Sequence, residues 1–159
     1  MSVVSVVSIE QTIRTRLLTF TPLGGTTLLT LLGSTTSGAG SSGKLYLSQA
    51  PDDVTGFYGV MRLIDMPQQG LDGGFMVRGL LELILYGRPR SQQSAVERMA
   101  DIVTEAWNHY RYTEASGRCL VARDVTNRAT IPYEAPADRE LVAVRLLLPF
   151  MATPSFLTG

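Results

Sequence analysis

Residues 80–107 read LLELILYGRPRSQQSAVERMADIVTEAW, an apolar strand that passes through a short Arg/Pro turn into an amphipathic helix. In the first half Leu81, Leu83 and Leu85 share one side, and Leu80, Glu82, Ile84 and Tyr86 share the other. That is the two-residue period of a strand. In the second half the period changes. Val96, Met99, Ala100, Val103, Ala106, Trp107 and Tyr110 recur at helical spacing, with Glu97, Arg98, Asp101, Glu105 and Asn108 opposite them. Ser91 or Ser94 caps this helix, and Ser94 with Glu97 has the spacing of a capping box.

The strand extends upstream over 75–86. Phe75, Val77 and Gly79 join the apolar face, while Met76 and Arg78 join the mixed one. A strand apolar on one side and mixed on the other suits a sheet covered by helices on one face only. Residues 57–65, FYGVMRLID, make the preceding strand, and 66–74, MPQQGLDGG, make the tip of a long hairpin. KLYL at 44–47 is a further short strand. Before it, 34–43 contains no large side chain and reads as a flexible loop, solvated or ordered only against a neighbouring subunit.

A helix is expected over 8–20, on the stripe Ile9, Ile13, Leu17 and Phe20, with Glu10, Arg14 and Arg16 mostly off it. TPLGG at 21–25 ends it, and a short helix buries Leu28, Leu29, Leu31 and Leu32. Beyond the long helix, 118–125 and 139–150 read as strands, with 126–138, which holds two prolines, as a loop between them. In the last strand Val142, Val144, Leu146 and Leu148 form the clean face, and Leu141, Ala143, Arg145 and Leu147 the mixed one. The expected fold class is α/β (α+β): a mostly antiparallel or mixed β-sheet with helices packed on one face, in a single domain over 1–159.

Composition narrows the function. The chain balances 14 Lys and Arg against 14 Asp and Glu, and Lys44 is its only lysine. It therefore lacks the basic excess of dedicated nucleic-acid binders. Cys119 stands alone, which excludes an intramolecular disulfide or a cysteine-based zinc site. The single histidine, His109, excludes a multi-histidine metal site. The N-terminus lacks a signal-peptide pattern and no apolar run reaches membrane-spanning length, so a soluble cytoplasmic product is expected. Cys119 and His109 could form a nucleophile–base pair, but nothing local activates the thiol. No enzymatic activity, cofactor or metal is expected.

The mixed faces carry what remains. Arg78, Leu80, Glu82 and Ile84 on one strand, with Arg145 and Leu147 on the other, interleave apolar anchors with opposite charges. Solvated antiparallel faces tolerate such a pattern, and subunit interfaces use it. The expectation is an oligomer interface there, with Gln68, Gln69 and Asp72 at the hairpin tip contacting a partner.

The order of elements, with the Ala50 and Pro51 pair before a strand, the apolar stretch 83–86 ending in an aromatic, and Ala95, Val96, Met99 and Ala100 on the following helix, resembles the tail terminator (tail completion) proteins of long-tailed bacteriophages. The resemblance covers nearly the whole chain. The small-residue loop at 34–43 and the proline-containing stretch at 126–138 depart from it. It implies a homo-oligomer, a hexameric ring that caps the tail tube, stops its polymerisation and docks the head connector or neck protein. DNA would pass through the lumen without specific binding, and no membrane would be involved. The subunit would be a structural virion protein at the head-proximal end of the tail, assembled in the host cytoplasm. Another head–tail junction or neck ring protein fits the same pattern, and a small cytosolic enzyme would need Cys119 and His109 in one pocket.

Overall fold

The computed structural model describes residues 6–32, 44–47, 56–65, 77–87, 93–113, 119–125, 127–132 and 142–153. Three helices and seven strands lie within them: α1 (Val6–Thr19), α2 (Leu28–Leu32), β1 (Leu45–Leu47), β2 (Tyr58–Asp65), β3 (Val77–Gly87), α3 (Gln93–Trp107), β4 (Arg111–Thr113), β5 (Cys119–Ala122), β6 (Asn127–Pro132) and β7 (Val142–Ala152). The strands form one mixed sheet in the order β1-β2-β3-β7-β5-β4, with β6 also beside β7. Only β1 and β2 run parallel; the remaining pairs are antiparallel. This is the α+β, single-domain architecture expected from the strand and helix periods.

β7 is the hub. Along one edge it pairs with all of β3, from Val77 opposite Ala152 to Gly87 opposite Val142. Along the other it takes β6 against 142–147 and β5 against 150–152. A register of this length places Leu81, Leu83 and Leu85 beside Leu148, Leu146 and Val144 on one face, all fully buried. α3 lies over β3 and β7, and its stripe Val96, Met99, Ala100, Val103, Ala106 and Trp107 completes the core, joined by Ile102. Close approach of α3 depends on Gly87. A Cβ there would lie 2.6 Å from Val96 Cγ2 and 2.9 Å from Phe57 Cε1, distances that side chains do not tolerate.

α1 packs on β2, α2 and α3 through Ile9, Ile13 and Leu17. Its end is a tight turn in which Gly25 N–H donates to Pro22 O at 2.9 Å, with Gly25 at φ 83°. α2 is capped by Thr27, whose hydroxyl accepts the Thr30 N–H at 3.2 Å. Leu28 and Leu32 are buried there, while Leu29 and Leu31 pack at the core margin.

Several expectations change. The stretch 126–138 is not simply a loop, because 127–132 forms β6 against β7. Pro132 ends that strand, where the missing N–H breaks no central ladder; residues 133–138 lie outside the described residues. The sequence does not predict β4. Its three residues, Arg111–Thr113, are too short and too polar to show a period, and their pairing with β5 makes the strand. α3 begins at Gln93, so Ser94 sits inside its first turn and does not cap it. Ser91, the loop 34–43 and the hairpin tip 66–74 lie outside the described residues.

Candidate interface on the mixed sheet face

The helix-free face is fixed by register. Arg62 lies opposite Glu82, and Val60, Ile84 and Arg145 lie in one row across β2, β3 and β7. Leu80 stands beside Pro149 and Glu82 beside Leu147. At one end Tyr58 and Tyr86, directly paired, stack with ring centroids 4.7 Å apart. Leu80, Ile84 and Leu147 are half-buried here, in contrast with the fully buried row on the helix side. Among the described residues no helix lies over this face.

At its centre Glu82 is held between two arginines. Arg62 Nε donates to Glu82 Oε1 at 2.8 Å, and Arg145 Nε donates to Glu82 Oε2 at 2.6 Å. The carboxylate is 5 % exposed, although both arginines remain open to solvent. Burial pushes the Glu82 carboxyl up. The hydrogen bonds from Arg145 and Arg62, with the attraction of both guanidiniums, outweigh it and hold the group below the usual glutamate range.

The structure thus brings Leu80, Glu82, Ile84, Arg145 and Leu147 together, as the alternation predicts. Arg78 shares their face but is exposed and stands further along, beside Met151. Arg62 takes the position of second cation to Glu82. The sequence does not single it out, because the pairing register of β2 with β3 is not visible in either strand alone. Gln68, Gln69 and Asp72 lie outside the described residues.

Cys119 is buried in β5 opposite Thr113, whose hydroxyl approaches Sγ at 3.9 Å. His109 is exposed at the other end of the β4–β5 pair, where Arg111 faces Val121. The structure does not bring the two together. His109 instead takes φ 61° as the residue that ends α3, with Tyr110 N–H donating to Trp107 O at 3.2 Å.

The polar residues of α1 also depart from expectation. Glu10 is only 4 % exposed and accepts the Leu63 N–H at 3.2 Å, beside the register shift in β2. Arg14 Nε donates to Leu45 O at 2.6 Å and Arg16 Nε to Ala106 O at 2.9 Å. The Arg16 guanidinium also lies over the rings of Phe20 and Tyr110. These three residues tie α1 to β2, β1 and the end of α3, a use that a hydrophobic stripe does not reveal.

Burial pushes the Glu10 carboxyl above its usual range, and the Leu63 hydrogen bond only partly opposes this. An acid whose folded value is raised destabilises the fold while ionised. Stability is therefore gained as pH falls through the raised value towards the ordinary one. Glu10→Gln keeps an acceptor for Leu63 and removes the buried charge. It is expected to raise stability at pH 7 by up to about 1 kcal/mol, the scale of one buried polar group. Urea melts at pH 7 and pH 5 check this: the variant's advantage should shrink at the lower pH.

No protein-family model matches the chain, and no characterised protein is significantly similar to it. No helix among the described residues is long and apolar enough to cross a membrane.

Proposed function

We propose that the chain is the subunit of a phage tail-terminator ring, a homohexamer that caps the tail tube, ends its growth and offers the surface to which the head connector docks. The observation that carries this reading is the division of the sheet. One face is closed by α1, α2 and α3, while the other presents half-buried Leu80, Ile84 and Leu147 around the Arg62–Glu82–Arg145 bridge. Apolar anchors with internally paired charges are what a subunit contact needs. A ring closes through unlike patches on successive copies, and this face would supply one of the two patches that each subunit needs. The balanced charge of the chain suits a lumen through which DNA passes without being held. In this reading the protein is a structural component of the virion, at the head-proximal end of the tail.

The test is the mass of the purified protein by native mass spectrometry, alone and with the tail tube protein of the same phage. A hexamer is expected, and Leu80→Asp together with Leu147→Asp should leave folded monomers with a melting temperature near that of the parent. Monomeric parent protein at high concentration, with or without tube protein, overturns the reading.

A further inference from the structure

Among the described residues β1 is the last strand of the sheet on its side. Consecutive residues of a strand turn their backbone N–H and C=O groups to opposite sides. Lys44 O accepts the Gly59 N–H at 2.8 Å, so Lys44 faces β2 and Gly59 faces β1. Leu45 and Leu47 are therefore turned outward. On β2, Met61 and Leu63 are turned the same way as Gly59, and the pairing with β1 ends at Met61, opposite Leu47. The Leu63 N–H thus lies on the outer edge just past β1, next to the register shift between Leu63 and Asp65. This edge presents a carbonyl from β1 and an amide from β2, and α1 meets both. Arg14 Nε donates to Leu45 O at 2.6 Å, and Glu10 Oε1, one helical turn earlier, accepts the Leu63 N–H at 3.2 Å.

We infer that α1 seals this edge of the sheet, Glu10 and Arg14 standing in for the backbone of a further strand and so preventing a second copy of the chain from adding there. The inference goes beyond the ring reading and stands whether or not the chain forms a ring. An open edge is a template for another chain, because its donors and acceptors match any extended backbone. A helix uses its own N–H and C=O groups internally along its length, so only side chains can satisfy the edge. The two side chains fit the two groups: an ionised carboxylate only accepts and takes the amide, while a guanidinium only donates and takes the carbonyl. Four residues apart, they lie on one side of α1. Both sit there against a cost, since burial pushes the Glu10 carboxyl up and the Arg14 guanidinium down. An apolar pair would avoid that cost and leave both edge groups unsatisfied. Arg16 supplies the contrast. It anchors α1 through Ala106 O, in the last turn of α3, and touches no strand edge.

The experiment compares variants of the full chain, each held well below its melting temperature and followed by thioflavin fluorescence and sedimentation. Glu10→Leu with Arg14→Met removes both seals and keeps apolar bulk. Glu10→Gln with Arg14→Lys keeps one acceptor and one donor, and Arg16→Met loosens α1 without opening the edge. The unsealed pair should form thioflavin-binding, sedimenting assemblies at least about tenfold faster than the parent, and the other two should stay within about twofold of it. Adding Leu47→Pro to the unsealed pair removes an outward N–H of β1 and should return the rate to that of the parent. If the unsealed pair does not fold, Arg14→Met alone, which leaves the Leu63 N–H bonded, is read in the same way. A folded, unsealed variant that stays as soluble as the parent overturns the inference. So does equally fast assembly of Arg16→Met, which makes a loosened helix the cause, or assembly that Leu47→Pro does not slow, which places the contact elsewhere. Soluble rings do not bind thioflavin, so the ring reading stands or falls separately.

Discussion

Trp107→Ala is expected to lower the unfolding free energy by about 3–5 kcal/mol, the range for removing a large aromatic from a packed core. Trp107 is fully buried at the end of α3, and its Nε1–H donates to Pro149 O at 3.0 Å. Its ring leans on Tyr110 with centroids 6.0 Å apart. The substitution therefore leaves a cavity and also removes one of the two hydrogen bonds to the Pro149 carbonyl, which keeps the Arg123 N–H at 2.8 Å. Trp107→Phe, which fills most of the space but donates nothing, separates the two losses and should retain more than half of the stability. Chemical denaturation followed by circular dichroism measures both. A Trp107→Ala protein that melts like the parent would remove α3 from the core.

Glu82→Ala should cost about 2–4 kcal/mol, less than a fully buried ion pair because Arg62 and Arg145 remain hydrated. Two guanidiniums would then face each other across β3 with no anion between them. The pH dependence has a definite sign. A carboxyl held below its ordinary value contributes stability that is present above that value and is lost as pH falls through the lowered one. Glu82→Gln should flatten this acid limb, the opposite of what Glu10→Gln does at its own, raised value. Melting temperatures of parent, Glu82→Gln and Glu10→Gln between pH 3 and pH 7 (roughly the span over which glutamates titrate) distinguish the two. An arginine placed at Glu82 would disturb the subunit as well as any contact it makes. Leu80 and Leu147 are therefore the better positions at which to test assembly.

Periodicity made most of this fold legible. Leu81, Leu83 and Leu85 against Val144, Leu146 and Leu148 identify the covered face because a strand buried on one side repeats every two residues. The α3 stripe is equally plain, down to Trp107. Legibility stops where pairing replaces pattern. β6 carries Arg128, Ala129 and Thr130, all exposed, and becomes a strand because β7 offers it an edge. Arg128 then reaches back to α3, donating to Asp101 Oδ1 at 2.6 Å and to Glu97 O at 3.1 Å. In the candidate site, Glu82 and Arg145 were visible as charges on half-apolar strands. Their joining through Arg62 required the registers of three strands at once. Glu10 was hidden for a related reason: its burial comes from the β2 irregularity above it, not from its own helix.

The central position of β7 bears on the order of events at the ribosome. Gly87 pairs with Val142 and Val77 with Ala152, separations of 55 and 75 residues. At typical elongation rates of about 5–20 residues per second, β3 emerges and waits roughly 3–15 seconds for its partner. During that interval the run from Leu80 to Tyr86 can pair only with β2, and its other edge stays unfilled. An apolar strand with an open edge is a template for another chain. Nascent copies on neighbouring ribosomes are thus exposed to mispairing at β3, and a chaperone that holds this strand until β7 arrives would increase the yield of folded subunits without altering their stability.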